Sequence, residues 1–407
     1  MGRIFARGYA PSTLGSFLRA FTFGHVRQLD AVASRLLTGL ARQTPVLTGR
    51  SGELVLVDVD DTIIEVHGHA KQGSGYGYSG VRGLNALLAT VTTATTAPMI
   101  VAQRLRKGAC GSPRGANRLV ADALKIVTTL KPGSRPLLRA DSAFYGQPSV
   151  SAAIRAGADV SVTVRLDPRI RVAISSIPHD SWQTIAYPDA VYDETSQRWI
   201  SRAEVAEVPF TAFTSKRKAD QMPGRLVVRR IPDLNPHPGQ DSLFDSWRFH
   251  AFFTTSALDT VAADKIHRGH AIIEQVHADL KHSALAHLPS GKFCANAAWL
   301  VLAVIAFNLT RAAATLAGPN VAKATTSTIR RKLINVPARI ARSARQITLH
   351  LPQRWPWQTD WTSLGSVPIP CTSTQTATLR AISPYVTTGV RMVGLSSRMG
   401  NMESQYT

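Results

Sequence analysis

The sequence predicts an α/β fold: a mixed β-sheet flanked by helices, interrupted by a β-rich insert, with helical additions at both ends. Two observations predict the core. Apolar strand patterns are followed by a helix, a strand, a helix and a strand up to residue 164, and a strand and two helices follow after residue 246. The insert is predicted because residues 165–246 carry short aromatic and aliphatic runs between turns rich in Pro and Asp.

In chain order, residues 1–50 have apolar residues at helical spacing, which predicts helices that end at Pro45. The strands and helices expected next are the strands Leu54–Asp58, Thr62–His67, Ala86–Thr92 and Met99–Arg104, the helix Arg114–Thr129, the strand Pro136–Asp141, the helix Ser149–Ala156 and the strand Val160–Val164.

Beyond the insert we expect a strand over Phe249–Thr254, an amphipathic helix over Lys265–Lys281 and an apolar helix from about Ala295. The apolar run of that last helix is too short to span a bilayer, so we expect a buried helix and no membrane partner. Basic residues 329–345 predict a helix up to Pro337 and another after it. Residues 363–407 are rich in Ser and Thr without periodicity, which predicts disorder.

The formal net charge is +21, from 47 Lys and Arg against 26 Asp and Glu. Such a balance favours a polyanionic partner, above all nucleic acid, although a basic bulk composition alone is the alternative. The cysteines Cys110, Cys294 and Cys371 form no disulfide or zinc-finger spacing. With no apolar signal segment at the N-terminus, these features predict a cytoplasmic, nucleoid-associated protein.

The Lys265–Lys281 helix has two contrasting faces. At about 100° per residue, its aliphatic residues share one side, which predicts a helix docked by that side. The opposite stripe holds a carboxylate among groups that bind phosphate: His267, His270, Glu274, His277 and Lys281. This pattern favours a metal ligand that faces nucleic acid, although His270 and Glu274 are also compatible with half of a zinc site.

Two further carboxylates stand at strand ends. Asp60 follows the first buried strand, and Asp141 ends the later strand. Together with Glu274 they could converge over a sheet edge and bind two Mg²⁺ or Mn²⁺ ions, about 3.5–4 Å apart, which is suited to phosphodiester chemistry. Each residue alone has an ordinary alternative, since an Asp after a strand often forms a turn and a Glu on a helix is usually solvated.

A phosphatase is the rival hypothesis. Asp58-Val-Asp60-Asp61-Thr62 also fits the Asp-x-Asp-x-Thr signature of haloacid-dehalogenase-like phosphatases, with Asp58 as nucleophile and Asp60 as general acid/base. Such enzymes need a later acidic pair for Mg²⁺, and Asp141 stands alone. The hypothesis also leaves the stripe from Glu274 to Lys281 unexplained.

With Asp60, Asp141 and the Glu274-x₆-Lys281 spacing, the chain resembles the insertion-sequence DDE transposases. It is most similar to the bacterial group with a Tyr-x₂-Arg-x₃-Glu-x₆-Lys signature around the last acid. The likeness covers about residues 10–362 and is most specific in Val57–Thr62, Arg139–Tyr145 and His267–Lys281. It implies a ribonuclease-H-like catalytic core, interrupted by the β-rich insert before the final acid.

The resemblance implies that Asp60, Asp141 and Glu274 are the catalytic, metal-binding triad, and that Lys281 holds a phosphate or the terminal base of the transposon end. His267, His270, Arg268 and Arg139 are the other residues expected to bind nucleic acid. His267 stands where the family usually has Tyr, and His270 where it has Arg. A mostly neutral imidazole is a poorer phosphate anchor than a guanidinium, and Arg268, off the stripe, could compensate.

The activity expected from the resemblance is metal-dependent hydrolysis at transposon ends, followed by strand transfer into target DNA. The expected partners are double-stranded DNA, as inverted-repeat ends and as target, and a second copy of the chain in a homodimer on paired ends. The segment before Asp60 is shorter than is common in the family and the tail differs, so a decayed relic that binds without cutting is an alternative. A non-catalytic DNA-binding protein would explain the charge but not the strand-end aspartates.

The predicted organisation has six segments: 1–50 helical and DNA-binding, 51–164 core, 165–246 β-rich insert, 247–320 core, 321–362 basic and helical, and 363–407 disordered. Possible DNA-backbone contacts are Arg19, Arg27 and the Arg330–Lys332 cluster. In the insert, Trp199 could stack on an unpaired base, although core packing is the more common role of a Trp.

Overall fold

The computed structural model describes residues 11–47, 52–68, 70–193, 198–232, 247–343, 346–352 and 354–365. They form two compact units, one up to Arg311 and the other from Ala312. The first unit contains a ten-stranded mixed sheet with helices packed against it. This confirms the predicted fold class.

The first half of the first unit follows the predicted order. Its elements are the helices α1 (Pro11–Arg19) and α2 (Phe23–Gln43), the strands β1 (Leu56–Glu65), β2 (Gly75–Tyr76), β3 (Arg82–Thr92) and β4 (Met99–Lys107), the helix α3 (Ala116–Leu130), the strand β5 (Leu137–Ala140), the helix α4 (Gln147–Arg155) and the strand β6 (Asp159–Thr163). One correction concerns β1, which is a single strand where the sequence predicts two. Its polar middle stays paired with β3 because Asp60, Asp61 and Thr62 lie opposite Leu88, Leu87 and Ala86.

The sheet is antiparallel on one side of β1 and parallel on the other. β3 pairs antiparallel with β1 and with β4, whereas β5 runs parallel to both β1 and β6. The remaining elements are the helix α5 (Pro168–Ser175) and the strands β7 (Gln183–Asp193), β8 (Arg198–Ala212), β9 (Met222–Pro232) and β10 (Trp247–Thr254). Strand β10 pairs antiparallel with β6, so the strands of the β-rich segment extend the same sheet.

The predicted Lys265–Lys281 helix is broken in two. Helix α6 (Thr260–Arg268) and helix α7 (Ile272–Lys281) are joined by a 3₁₀ turn over Gly269–Ala271. A Cβ at Gly269 would lie 2.8 Å from the Arg139 guanidinium, so this residue lets the side chain of Arg139 pass beneath the turn. The break changes the helical phase, and the predicted continuous stripe therefore does not exist.

Helix α7 and the following helix α8 (Phe293–Ala317) cover one face of β1 and β3. Val276 and Leu280 of α7 and Val304 and Phe307 of α8 share a buried cluster with Ile64 of β1. In the described part of the chain, α8 is the one helix long and apolar enough to cross a membrane. Its contacts within this cluster are those of a core helix, as predicted.

The second unit contains the end of α8 and short elements: α9 (Pro319–Ala322), α10 (Thr326–Ile329), a π-helical turn (Arg330–Ile334), the strands β11 (Arg339–Ser343) and β12 (Gln346–His350), and the helix α11 (Gln358–Gly365). The helix predicted after Pro337 is wrong, because β11 and β12 form an antiparallel hairpin. The residues of β12 alternate between polar and apolar, a pattern that favours a strand over a helix, whereas those of β11 do not alternate throughout. Most of the predicted disordered tail lies outside the described residues.

Candidate active site

Asp60 and Asp141 occupy equivalent positions on neighbouring parallel strands. Val59 of β1 is the register partner of Ala140 of β5, and the next residue of each strand is an aspartate. Because successive side chains of a strand alternate between faces, Asp58 and Asp60 lie on the same face of β1. This is the face that α7 covers, as the contact between His277 and Asp60 shows.

The Asp141 carboxyl lies in a region of excess negative charge. Partial desolvation raises its pKa, and the nearby Asp60 and Asp61 carboxylates raise it further. A hydrogen bond from the Ala143 N–H, 2.9 Å from Asp141 Oδ1, acts in the opposite direction, as does His270. The net upward shift means that ionised Asp141 is not fully compensated by its own neighbours, which favours the binding of a cation.

The third predicted acid is not gathered with the other two. Glu274 is exposed on α7, one turn before His277. Within the ranges that the structure describes, no three His, Cys, Asp or Glu side chains are close enough together to hold a metal ion. The structure therefore brings Asp60, within β1, beside Asp141, directly after β5, and leaves Glu274 apart from them.

Asp58 is the buried partner of Arg139. Arg139 donates two hydrogen bonds of 2.8 Å to the two carboxylate oxygens, and His270 Nδ1 lies 2.8 Å from Asp58 Oδ1. The exposed fractions of the Asp58 and Arg139 side chains are 0% and 2%. A third Arg139 hydrogen bond, of 2.5 Å, reaches the Ile266 carbonyl oxygen. A carboxylate enclosed in this way cannot reach a substrate, so the geometry opposes the phosphatase hypothesis with Asp58 as nucleophile.

The same contacts correct the roles expected for Arg139 and His267 in nucleic-acid binding. Arg139 has its guanidinium inside the fold. The His267 ring stacks on Phe252 with the ring centroids 4.0 Å apart, and its nitrogens lie 2.8 and 3.0 Å from the Ser161 and Thr163 hydroxyls. Burial lowers the pKa of His267 to about 3, so the ring is neutral at physiological pH. Both residues stabilise the core because their polar groups are already paired there.

The other residues predicted to bind nucleic acid differ in how far they are exposed and in their partners. Arg268 donates a 2.8 Å hydrogen bond to Asp264, and the His270 side chain, 16% exposed, is tied to Asp58. Lys281 is exposed at the end of α7, and burial of its stem lowers its pKa while the negative charge of Asp60 raises it. Lys281 also lines a cleft of about 510 Å³ with Asp61 and Thr62 of β1. Among these residues, Lys281 is thus the cation best placed to contact a ligand beside Asp60.

Two further residues of the site have surroundings that the sequence did not predict. His277 is on the predicted stripe, yet its side chain is 6% exposed and its Nε2 lies 3.4 Å from Asp60 Oδ2. Asp61 is on the opposite face of β1, where it accepts 2.5 Å hydrogen bonds from Asn85 and Arg106. The signal for His277 was its spacing from Glu274 and Lys281, whereas the partners of Asp61 follow only from strand register.

The carboxylates of Asp60 and Asp141 fit a hard divalent cation. Carboxylate oxygens are the ligands that Mg²⁺ and Mn²⁺ prefer, and Mg²⁺ usually keeps several waters, so two protein carboxylates suffice to hold it. Desolvation, and after it the charges of Asp60 and Asp61, raise the pKa of Asp141, so a nearby positive charge would stabilise its ionised form.

Replacing Arg139 with Met should reduce the free energy of unfolding by about 3–5 kcal/mol, because it leaves the Asp58 charge buried without its partner. Arg135→Met is the control: this residue is 71% exposed and pairs with Asp159, so the loss should stay below about 1 kcal/mol. Urea unfolding measures both. An Arg139→Met protein that is stable but binds DNA more weakly would instead support the predicted role of Arg139 in DNA binding.

Asp141→Asn should raise the melting temperature at pH 7 in EDTA. A carboxyl whose pKa is raised in the folded state destabilises that state once it ionises, and Asn keeps the acceptor for the Ala143 N–H. The gain should disappear as the pH falls to about 4, near the ordinary Asp pKa, where the wild-type carboxyl is protonated.

The measurement is a series of thermal melts across this pH range. Asp259→Asn, at the N-cap of α6, is the matched control, since Asn also accepts the Ala262 N–H hydrogen bond. An Asp141→Asn protein that melts below wild type at pH 7 would contradict the electrostatic account.

A comparison with curated proteins found no match. Among solved structures, the chain is similar to piggyBac transposase, seen in a cryo-EM structure of its synaptic complex with hairpin DNA. The identity is 11%, the TM-score is 0.36, and the match covers 79% of this chain but 59% of that chain, less than two thirds of its length. Residues 10–366 match the transposase DDE domain, group 1, and the chain belongs to this family, whose members are expected to use divalent metal ions.

Proposed function

We propose that the protein is a DNA transposase that hydrolyses phosphodiester bonds at transposon ends and joins the freed 3′ ends to target DNA. The observation that carries the proposal is the placement of Asp60 within β1 and of Asp141 directly after β5 at neighbouring positions of these two parallel strands, in a chain of the DDE transposase family. The net charge of +21 supports a DNA partner.

Asp60 and Asp141 would hold two Mg²⁺ or Mn²⁺ ions, with Glu274 as the third acid. When bound, such ions activate a nucleophile and neutralise the charge that develops on the phosphate. The residues themselves position the groups: β1 and β5 hold two carboxylates on a rigid sheet. Glu274 is one turn from His277, which contacts Asp60, so rotation about its own torsion angles would bring its carboxylate nearer to the pair.

Lys281 would bind a phosphate of the transposon end. It is exposed, borders the cleft beside β1 and lies near Asp60. Its positive charge would hold a phosphate close to the carboxylates. Inverted-repeat ends and target DNA are the proposed substrates, a homodimer on paired ends is the proposed assembly, and the nucleoid is the proposed location.

The test is cleavage of a labelled DNA that carries the repeats flanking the gene, with Mg²⁺ or Mn²⁺. Asp60→Asn, Asp141→Asn and Glu274→Gln should each reduce cleavage about 100-fold or more, as loss of transition-state stabilisation does elsewhere. Each should leave DNA affinity nearly unchanged. Glu65→Gln, at the exposed end of β1, is the matched control and should cut normally.

The three variants separate the assignments. Normal cutting by Glu274→Gln alone would remove Glu274 from the triad and keep the pair on the sheet. Normal cutting by Asp60→Asn or Asp141→Asn would overturn the proposed active site. DNA binding by the wild type without any cutting would indicate a decayed enzyme.

Lys281→Ala should weaken binding to the transposon end and reduce the slope of log affinity against log salt by about one, the contribution of one phosphate contact. Lys292→Ala, exposed at the start of α8, is the control. The measurement is fluorescence anisotropy with end DNA at several salt concentrations. An unchanged slope in Lys281→Ala would show that this residue makes no phosphate contact.

A further inference from the structure

His277 is a buried polar side chain with an incomplete set of partners. It is 6% exposed and packs on the inner side of α7, between the core residues Val276 and Leu280. Neither ring nitrogen has a hydrogen-bond partner among the described residues, although both are enclosed. An unsatisfied buried polar group destabilises a protein, because it loses its hydrogen bonds to water without replacement. A His at this core position therefore needs an explanation that an apolar residue would not.

The neighbour of His277 supplies that explanation. Its Nε2 lies 3.4 Å from Asp60 Oδ2, without the geometry of a hydrogen bond. Two adjacent ligands of one octahedral ion, each at about 2.1 Å, are about 3 Å apart. The separation is thus close to that of two groups that share a cation, and Asp60, 21% exposed, is open to solvent on its other side.

We propose that His277 is, together with Asp60, a ligand of a divalent cation, and that its imidazole gives this site a preference for Mn²⁺ over Mg²⁺. The inference rests on the proposed function, which places a cation at Asp60. Imidazole nitrogen suits transition metals, whereas Mg²⁺ prefers oxygen ligands. His277 would thus fill a ligand position that Glu274 does not occupy in this structure, and water or a phosphate oxygen would take the others.

The packing of α7 supports the proposed role of His277, because it holds the imidazole ring beside Asp60. Ile273 and Leu280 are fully buried on the same helix, and Asp279 pairs with Arg311 at 2.5 Å. These contacts fix the helix over β1, so the ring has little freedom to move away from Asp60. A ligand held by packing in this way is positioned before the cation arrives.

The test uses the full chain loaded with Mn²⁺ and pulsed electron paramagnetic resonance, which detects nitrogen nuclei bound directly to Mn²⁺. The wild type should give a directly bound ¹⁴N signal, and His277→Gln should lose it. His282→Gln is the matched control: His282 is exposed at the end of α7, with Nδ1 2.7 Å from the Ala278 carbonyl oxygen, and its loss should leave the signal unchanged.

Titration calorimetry gives the second readout. His277→Gln should bind Mn²⁺ about 10-fold or more weakly, the range seen when the coordination of a metal site is disturbed. Mg²⁺ binding should change less. An equal loss for both metals would contradict the proposed selectivity.

The wild-type spectrum keeps the proposal falsifiable even if His277→Gln does not fold. Mn²⁺ binding that depends on Asp60 but gives no ¹⁴N signal would overturn the role of His277 and leave the proposed function standing. Mn²⁺ binding that does not respond to Asp60→Asn would overturn both. A ¹⁴N signal that persists in a folded His277→Gln protein would assign the ligand to another histidine.

Discussion

The buried ion pair between Asp58 and Arg139 is the constraint on which the rest of the site depends. The two residues are register partners on the parallel strands β1 and β5, so the pair fixes which residues of these strands lie side by side. Two residues further along, the same register places Asp60 beside Asp141. A slip of one residue would move one of the carboxylates to the opposite face of the sheet. A buried ion pair adds little net stability, yet breaking one is costly, and this difference enforces the register.

The same pair also positions the helical side of the site. Arg139 reaches the Ile266 carbonyl oxygen in α6, and His270, within the 3₁₀ turn, reaches Asp58, so the end of α6 and the turn are both tied to the sheet. Gly269 leaves room for the guanidinium, since a Cβ at this position would lie 2.8 Å from it. Helix α7 therefore begins at a fixed place and carries His277 and Lys281 to Asp60. One local network thus sets the positions of groups from three separate stretches of sequence.

The sequence was sufficient to predict the fold class, most strands and the position of Asp141 at the end of its strand, because these depend on local apolar patterns. It also placed Asp60 after a strand, whereas β1 continues to Glu65. It could not separate the roles of Asp58, Asp60 and Asp61, since only pairing shows that Asp58 meets Arg139 and that Asp61 meets Arg106. The stripe on the late helix failed for a related reason. A constant 100° per residue assumes an unbroken helix, whereas Arg139, distant in sequence, imposes a turn at Gly269. As a result, the His267 imidazole stacks on Phe252 of the sheet and is part of the core.

The distribution of charge explains why this site would bind a cation: without one, its groups lower the stability of the fold. Arg106 and Arg139, the guanidiniums nearest to the aspartates, are engaged by Asp61 and Asp58 and do not neutralise the outer pair. Desolvation and, after it, repulsion from Asp60 raise the pKa of Asp141, and His277 has no hydrogen-bond partner within the described structure. Each is unfavourable in isolation, and one cation would relieve both, since it satisfies carboxylate and imidazole together. Functional sites commonly retain such local conflicts, which the surrounding fold must hold in place. Here the packing of α7 on β1 holds these groups in place, and this packing is therefore as much a part of the proposed metal site as the ligands themselves.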